Sequence, residues 1–186
     1  ETLSGLIESG MNIIKTHALL LIEGTELYTP EARAKFGFQT RFRPNIQSFG
    51  HYRFVDEDYL AVECEEIVVA TSTLSFEDYL ECRRLQLTVH VFYNDDLFRE
   101  LHGVLSAFGV PVWTWLMRVH EGGGRLNAGT KVLYDSYMND VEGELFDSPD
   151  QLRADFERDP DQYLGGHKGC NVTFKHKAML FDKYVK

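Results

Sequence analysis

Arg41, Arg43, His51 and Arg53 fall within one aromatic-rich stretch, Thr40 to Phe54, among Phe42, Phe49, Tyr52 and Phe54. A guanidinium offers a planar fork of donors that grips a carboxylate or phosphate through two parallel hydrogen bonds. An imidazole adds a group that titrates near neutrality. These four side chains are the candidate contacts to an unknown small-molecule substrate. The competing expectation is that they pair with nearby acids, since the chain carries 29 Asp and Glu against 19 Lys and Arg.

Other chemistry-bearing residues read more simply. Glu63, Glu65 and Glu66 surround Cys64 and resemble paired carboxylates for acid–base work. Strand alternation instead places Glu63 and Glu65 on one solvated face with Cys64 opposite. His167, Cys170 and His176 are a local set of metal-ligand types, but a zinc site wants four ligands and only one of these is a cysteine. No metal site is assigned to them, and the stretch reads as a loop followed by a packed segment. The triplet Gly122-Gly123-Gly124 lacks the Lys and Ser/Thr of a phosphate loop and follows a helix. Trp113, Trp115 and Met117 suit helix packing.

The elements that must position these residues follow from periodicity and punctuation. Leu3, Leu6 and Ile7 have helical spacing, with Gly10 as a stop. Asn12 to Ile22, with its apolar run Ala18 to Ile22, predicts a strand buried on both faces of a parallel sheet, closed by the turn Glu23-Gly24-Thr25-Glu26. Thr29-Pro30-Glu31 starts a short helix through Lys35, ended by Gly37. Residues 40 to 54 show no clean period and are expected to be irregular. Tyr59 to Ala70 predicts one strand, or two with a break at Glu65-Glu66.

From there helices dominate. Ser75 and Asp78 form a capping box ahead of Phe76, Tyr79, Leu80, Arg83, Leu87 and Val91. Asn94-Asp95-Asp96 caps a second helix carrying Leu97, Leu101, Val104, Leu105 and Phe108, closed by Gly109. Pro111 opens a third, Val132 to Leu145 mark a fourth, and Ser148-Pro149-Asp150-Gln151 opens a fifth that Pro160 limits.

Composition narrows the function classes. The 186 residues are 44% hydrophobic, too rich for disorder, and the net charge of −10 disfavours binding to nucleic acid. No apolar run approaches the roughly 20 residues of a membrane span. Three widely spaced cysteines, Cys64, Cys82 and Cys170, argue against a disulfide framework and for a cytoplasmic home. The apolar pattern begins at once at Leu3, and a helix followed by one buried strand is half of an α/β unit. Both features lead to the expectation that the chain is part of a longer enzyme.

Three stretches carry a resemblance: Thr2 to Leu27, TLSGLIESGMNIIKTHALLLIEGTEL; Glu66 to Asn94, EIVVATSTLSFEDYLECRRLQLTVHVFYN; and Glu144 to Phe181. Together they resemble the carboxyl-terminal region of radical S-adenosylmethionine enzymes, in particular the subclass with a cobalamin-binding domain ahead of the barrel. The resemblance implies that residues 1–27 are the end of a (β/α) barrel, that 28–74 connect with short strands, and that 75–186 form a helical domain. It implies a parent enzyme with a [4Fe–4S] cluster, S-adenosylmethionine and, in that subclass, cobalamin, its upstream barrel domain being this chain's partner. The family's Cys-x3-Cys-x2-Cys cluster loop does not occur here, so this chain is expected to bind no cofactor by itself. Gly24, Thr25 and Glu26 match the turn that lies near the adenine of S-adenosylmethionine in that family.

The expected fold is thus a predominantly helical α+β chain: an amino-terminal helix–strand barrel remnant, short strands and a helical domain. Its expected role is to close the barrel and shape the substrate pocket. The alternative is a noncatalytic helical module that binds another protein.

Overall fold

The computed structural model describes residues 2–122 and 128–184. The fold is a predominantly helical α+β arrangement in two compact units, one of residues 1–16, 81–139 and 173–186, the other of 17–80 and 140–172. Gly123 and Gly124 of the glycine triplet lie outside the described residues.

The second unit is organised by an antiparallel hairpin, β1 (Gln39–Phe54) and β2 (Glu57–Ala70). This corrects the expectation of an irregular stretch from 40 to 54. The period is hidden because β1 is not regular: Pro44 pairs with Cys64, yet the next pair is Phe49 with Val62. Proline has no N–H to give to the ladder, so the strand bulges over residues 45–48. Gln47 there takes a φ of 60°, and its N–H reaches the carbonyl of Gly169 at 3.3 Å. On β2 the Glu65-Glu66 pair causes no break, because each glutamate faces an arginine.

Alternation divides the hairpin residues between two faces. Phe42, Cys64 and Glu66 share one face, whereas Arg43, Glu65 and Ile67 share the other. The second face carries the unit's core, in which Ile67, Val69 and Tyr79 are buried with Ala18, Leu20, Leu74 and Leu145 packed around them. Phe146 bridges to Phe42 through reciprocal backbone hydrogen bonds of 2.7 and 2.8 Å. The short helix α2 (Pro30–Phe36) is capped by the Thr29 hydroxyl and closed by Gly37 at φ 61°, as its punctuation predicts.

The segment expected to be a doubly buried parallel strand is not one, and the described residues do not show a barrel remnant. Between Asn12 and Ile22 only Leu20 is bridged, antiparallel, to Ile67, through Leu21 N–H to Glu66 O and Val68 N–H to Leu19 O, both 2.9 Å. Leu21 is buried, but Leu19 and Ile22 are 41% and 59% exposed. An apolar run records side-chain type without recording how many neighbours cover it.

In the remaining chain of this unit, Ser148 caps α7 (Pro149–Arg158) by accepting from Gln151 N–H, and Asp159-Pro160 leads into α8 (Pro160–Leu164). Phe49, Phe156 and Tyr163 pack as a ring cluster with centroids 5.2 to 6.2 Å apart.

The first unit is helical: α1 (Thr2–Glu8), α3 (Phe76–Phe92) from Glu81 onward, α4 (Arg99–Ala107), α5 (Val112–Gly122), most of α6 (Ala128–Gly143) and nearly all of α9 (Val172–Tyr184). The capping box forms, with Ser75 Oγ accepting from Asp78 N–H and the Asp78 carboxylate accepting from Ser75 N–H. Ile7, Ile14, Val89, Tyr93 and Leu116 make the core, flanked by Trp113 and Trp115. Asn94 is buried because its amide satisfies both backbone groups of Ile14, at 2.9 and 3.0 Å. The packed segment expected near the carboxyl end is α9.

Candidate functional site

A groove of about 770 Å³ opens on the hairpin face of the second unit. β1 supplies Phe42 and Asn45, β2 supplies Val62 through Glu66, the extended segment supplies Leu20 through Glu23, and α7 supplies Pro149 and Arg153. Strand alternation explains the floor: Phe42 and Val62 are apolar, and the Cys64 thiol lies among them. Burial pushes the Cys64 thiol up from its ordinary value, with Asp150 adding to the shift and Arg153 opposing it. A raised thiol is a weak nucleophile at neutral pH.

The acids of the groove differ in how they are held. Glu66 accepts both guanidinium nitrogens of Arg33 at 2.7 Å, and that fork, against the cost of burial, holds its carboxyl below the usual range. Glu65 receives Arg43 at 2.9 Å on the opposite face. Glu65 is therefore not the solvated acid expected from alternation; its side chain is 20% exposed. Glu63 accepts only a 3.2 Å hydrogen bond from Asn45. Arg153 is balanced by Asp150 at 2.9 Å.

The four residues expected to touch substrate are found in ion pairs and do not line the groove. Arg41 meets Asp147 at 3.1 Å. Arg43, only 14% exposed, lies between Glu65 and Glu144, at 2.9 and 3.5 Å. Burial disfavours its charge, yet the two carboxylates outweigh that cost and raise its pKa. His51 and Arg53 share Asp58, at 3.3 and 2.9 Å, near the distal end of the hairpin. Any of these groups must release its acid partner before it can bind a substrate, and His51 and Arg53 are the two that solvent reaches most.

The turn named as a cofactor neighbour leaves the groove directly at Glu23. Gly24 takes a φ of 84°, a conformation its missing Cβ permits, and the Thr25 hydroxyl donates to Ile22 O at 2.7 Å. Glu26 then begins a short 3-10 turn. All three are exposed. The turn follows directly on Glu23, the last groove-lining residue of this segment. Among the described residues, Cys64 and Cys82 lie on separate elements, and no group of three or more His, Cys, Asp or Glu is placed to hold a metal.

Sequence periodicity missed Phe42, Val62 and Arg153 as groove residues. The hairpin register supplies the missing signal: Phe42, Cys64 and Glu66 fall on one face only once β1 is paired with β2. Compared with known proteins, the chain matches no family model and no curated protein.

Proposed function

We propose that this chain is the carboxyl-terminal region of a radical S-adenosylmethionine-type iron–sulfur enzyme, where it closes the barrel and shapes the substrate pocket. The carrying observation is the placement of the groove. It is bounded by Leu20 to Glu23 and continues into the Gly24-Thr25-Glu26 turn, the stretch on which the family resemblance rests. Beside it, Leu19 and Ile22 expose apolar surface on an extended segment paired with β2. A preceding barrel domain of the same polypeptide would cover them and gain about 25 cal/mol per Å² of apolar surface removed from water.

The [4Fe–4S] cluster and the reductive cleavage of S-adenosylmethionine belong to that barrel domain. This chain's own residues would supply the pocket wall: Phe42 and Val62 for an apolar substrate surface, Glu63 for a polar contact, and Gly24, Thr25 and Glu26 beside the cofactor. Cobalamin use would reside in the domain ahead of the barrel. Reconstitution of this chain alone with iron, sulfide and S-adenosylmethionine is expected to yield neither cluster absorbance nor cofactor cleavage. A working cluster on this chain would overturn the proposal.

A noncatalytic protein-interaction module is the second reading, favoured by one observation. Leu101, Val104 and Phe108 recur at helical spacing along α4 and its carboxyl end, and are 38%, 52% and 82% exposed. Charged substitutions at Val104 and Phe108 separate the two readings. They abolish partner capture if α4 is the functional surface, and leave assembly with the barrel intact if Leu19 and Ile22 are.

A further inference from the structure

Within the helical unit, three helices meet at a buried chain of polar side chains that no candidate role has used. Glu81, Arg84 and Thr88 come from α3, His120 from the end of α5, and Tyr134 from α6. His120 Nε2 lies 2.7 Å from a Glu81 carboxylate oxygen, and Nδ1 lies 3.0 Å from the Thr88 hydroxyl. Thr88 is in turn 2.7 Å from the Tyr134 hydroxyl and 3.3 Å from the carbonyl of Arg84. Thr88, His120 and Tyr134 are 0%, 2% and 4% exposed, whereas the Glu81 side chain reaches solvent at 56%.

The donor inventory gives this chain one direction when His120 is neutral. A carboxylate accepts only, so Nε2 carries the proton and Nδ1 is an acceptor. Thr88 then donates to Nδ1, and Tyr134 donates to Thr88. Addition of a proton reverses the middle link: Nδ1–H donates to Thr88, and the Thr88 hydroxyl turns to the Arg84 carbonyl. Tyr134 still donates to the second lone pair of Thr88. Every buried polar atom keeps a partner in both charge states, which an isolated buried imidazole does not achieve.

We propose that Glu81, His120, Thr88 and Tyr134 form a proton-operated latch, which holds α3, α5 and α6 together whether His120 is neutral or charged and reverses its hydrogen bonds on proton uptake. Burial is the largest influence on His120 and favours the neutral form; Glu81 and Glu121 favour the charged form, and Arg84 opposes it. Arg84 also ties α3 to α5 directly, by a 2.6 Å hydrogen bond to the His120 carbonyl, and places its guanidinium 5.3 Å over the Tyr134 ring.

The test is an NMR titration of the His120 ring in the full chain and in two variants, Glu81→Gln and Thr88→Val. The latch predicts the Nε2–H tautomer at neutral pH, a midpoint below that of free histidine, and contacts between the His120 ring and the Thr88 methyl that persist through the titration. Glu81→Gln, a change at an exposed side chain, is expected to lower the proton affinity of His120 roughly tenfold, as is Thr88→Val where it folds. An Nδ1–H tautomer, a midpoint unmoved by Glu81→Gln, or loss of the ring–methyl contacts as His120 charges would each overturn the proposal.

Discussion

Arg33 sets both terminal nitrogens of its guanidinium on the two carboxylate oxygens of Glu66, each at 2.7 Å, and so fastens α2 to the middle of β2. Tyr28 completes the joint, since the guanidinium carbon lies 4.9 Å from its ring centroid. Glu66 and Tyr28 both line the groove, so the joint that Arg33 makes with them bears on the shape of the candidate site.

Arg33→Ala leaves Glu66, whose side chain is 13% exposed, without its fork. A loss of about 1–2 kcal/mol is expected, discounted for the solvent that reaches Arg33, with Arg33→Lys recovering less than half. Chemical denaturation of the two variants measures this, and equal stability of Arg33→Lys and the parent would contradict the bidentate geometry.

The same pair has a pH signature. The Glu66 carboxyl titrates below its unfolded value, chiefly through the Arg33 fork, so its contribution is complete above the unfolded value of about 4.3 and lost as pH falls through the lower folded value. Glu66→Gln should remove that part of the acid transition, seen as a flatter stability curve below about pH 4.3.

A second acid-sensitive step belongs to the helical unit. Burial holds His90 and His102 below the ordinary histidine value, and one ring nitrogen of each is buried without a hydrogen-bond partner. Their folded values lie below the unfolded one, so stability is intact above about pH 6.5 and declines as pH falls from there through the folded values. His102 stacks on Tyr93 at 5.7 Å and meets Trp115 at 5.4 Å. His102→Phe is expected to keep this packing and reduce the slope of stability between about pH 6.5 and 5. An unchanged slope in thermal unfolding would remove His102 from the account.

Two backbone positions give predictions of opposite sign. Val55, at the hairpin turn, is a β-branched residue held at φ 58° and 78% exposed. Val55→Asn should raise stability by about 0.5–1 kcal/mol, because Asn tolerates the left-handed region and little packing is lost. Gly169, at φ 64°, has no such freedom: an added Cβ would run into the Phe49 ring and come within 3.2 Å of Tyr163. Gly169→Ala should cost about 2–3 kcal/mol. Thermal melts of both variants decide the matter.

Local punctuation was the most legible part of the sequence. The Thr29, Ser75 and Ser148 caps and the Gly37 stop each depend on residues within a turn of one another, and each forms. The hairpin was less legible because Pro44 and the four residues after it break the alternation that would have marked β1. The groove depends on long-range register, with Phe42 set against Glu66 and Leu20 against Ile67, which no local period encodes. The arginines were correctly placed among acids as one of two expectations, while the His120 chain went unnoticed because its members are spread over three helices.

The most direct test of the proposed function is hydrogen exchange on the polypeptide that joins this chain to a barrel bearing the three-cysteine loop, with and without S-adenosylmethionine. The account predicts that assembly with the barrel slows exchange at Leu19 to Ile22, and that the cofactor further slows Gly24 to Glu26. Cofactor cleavage with exchange at both stretches unchanged from that of this chain alone would contradict it.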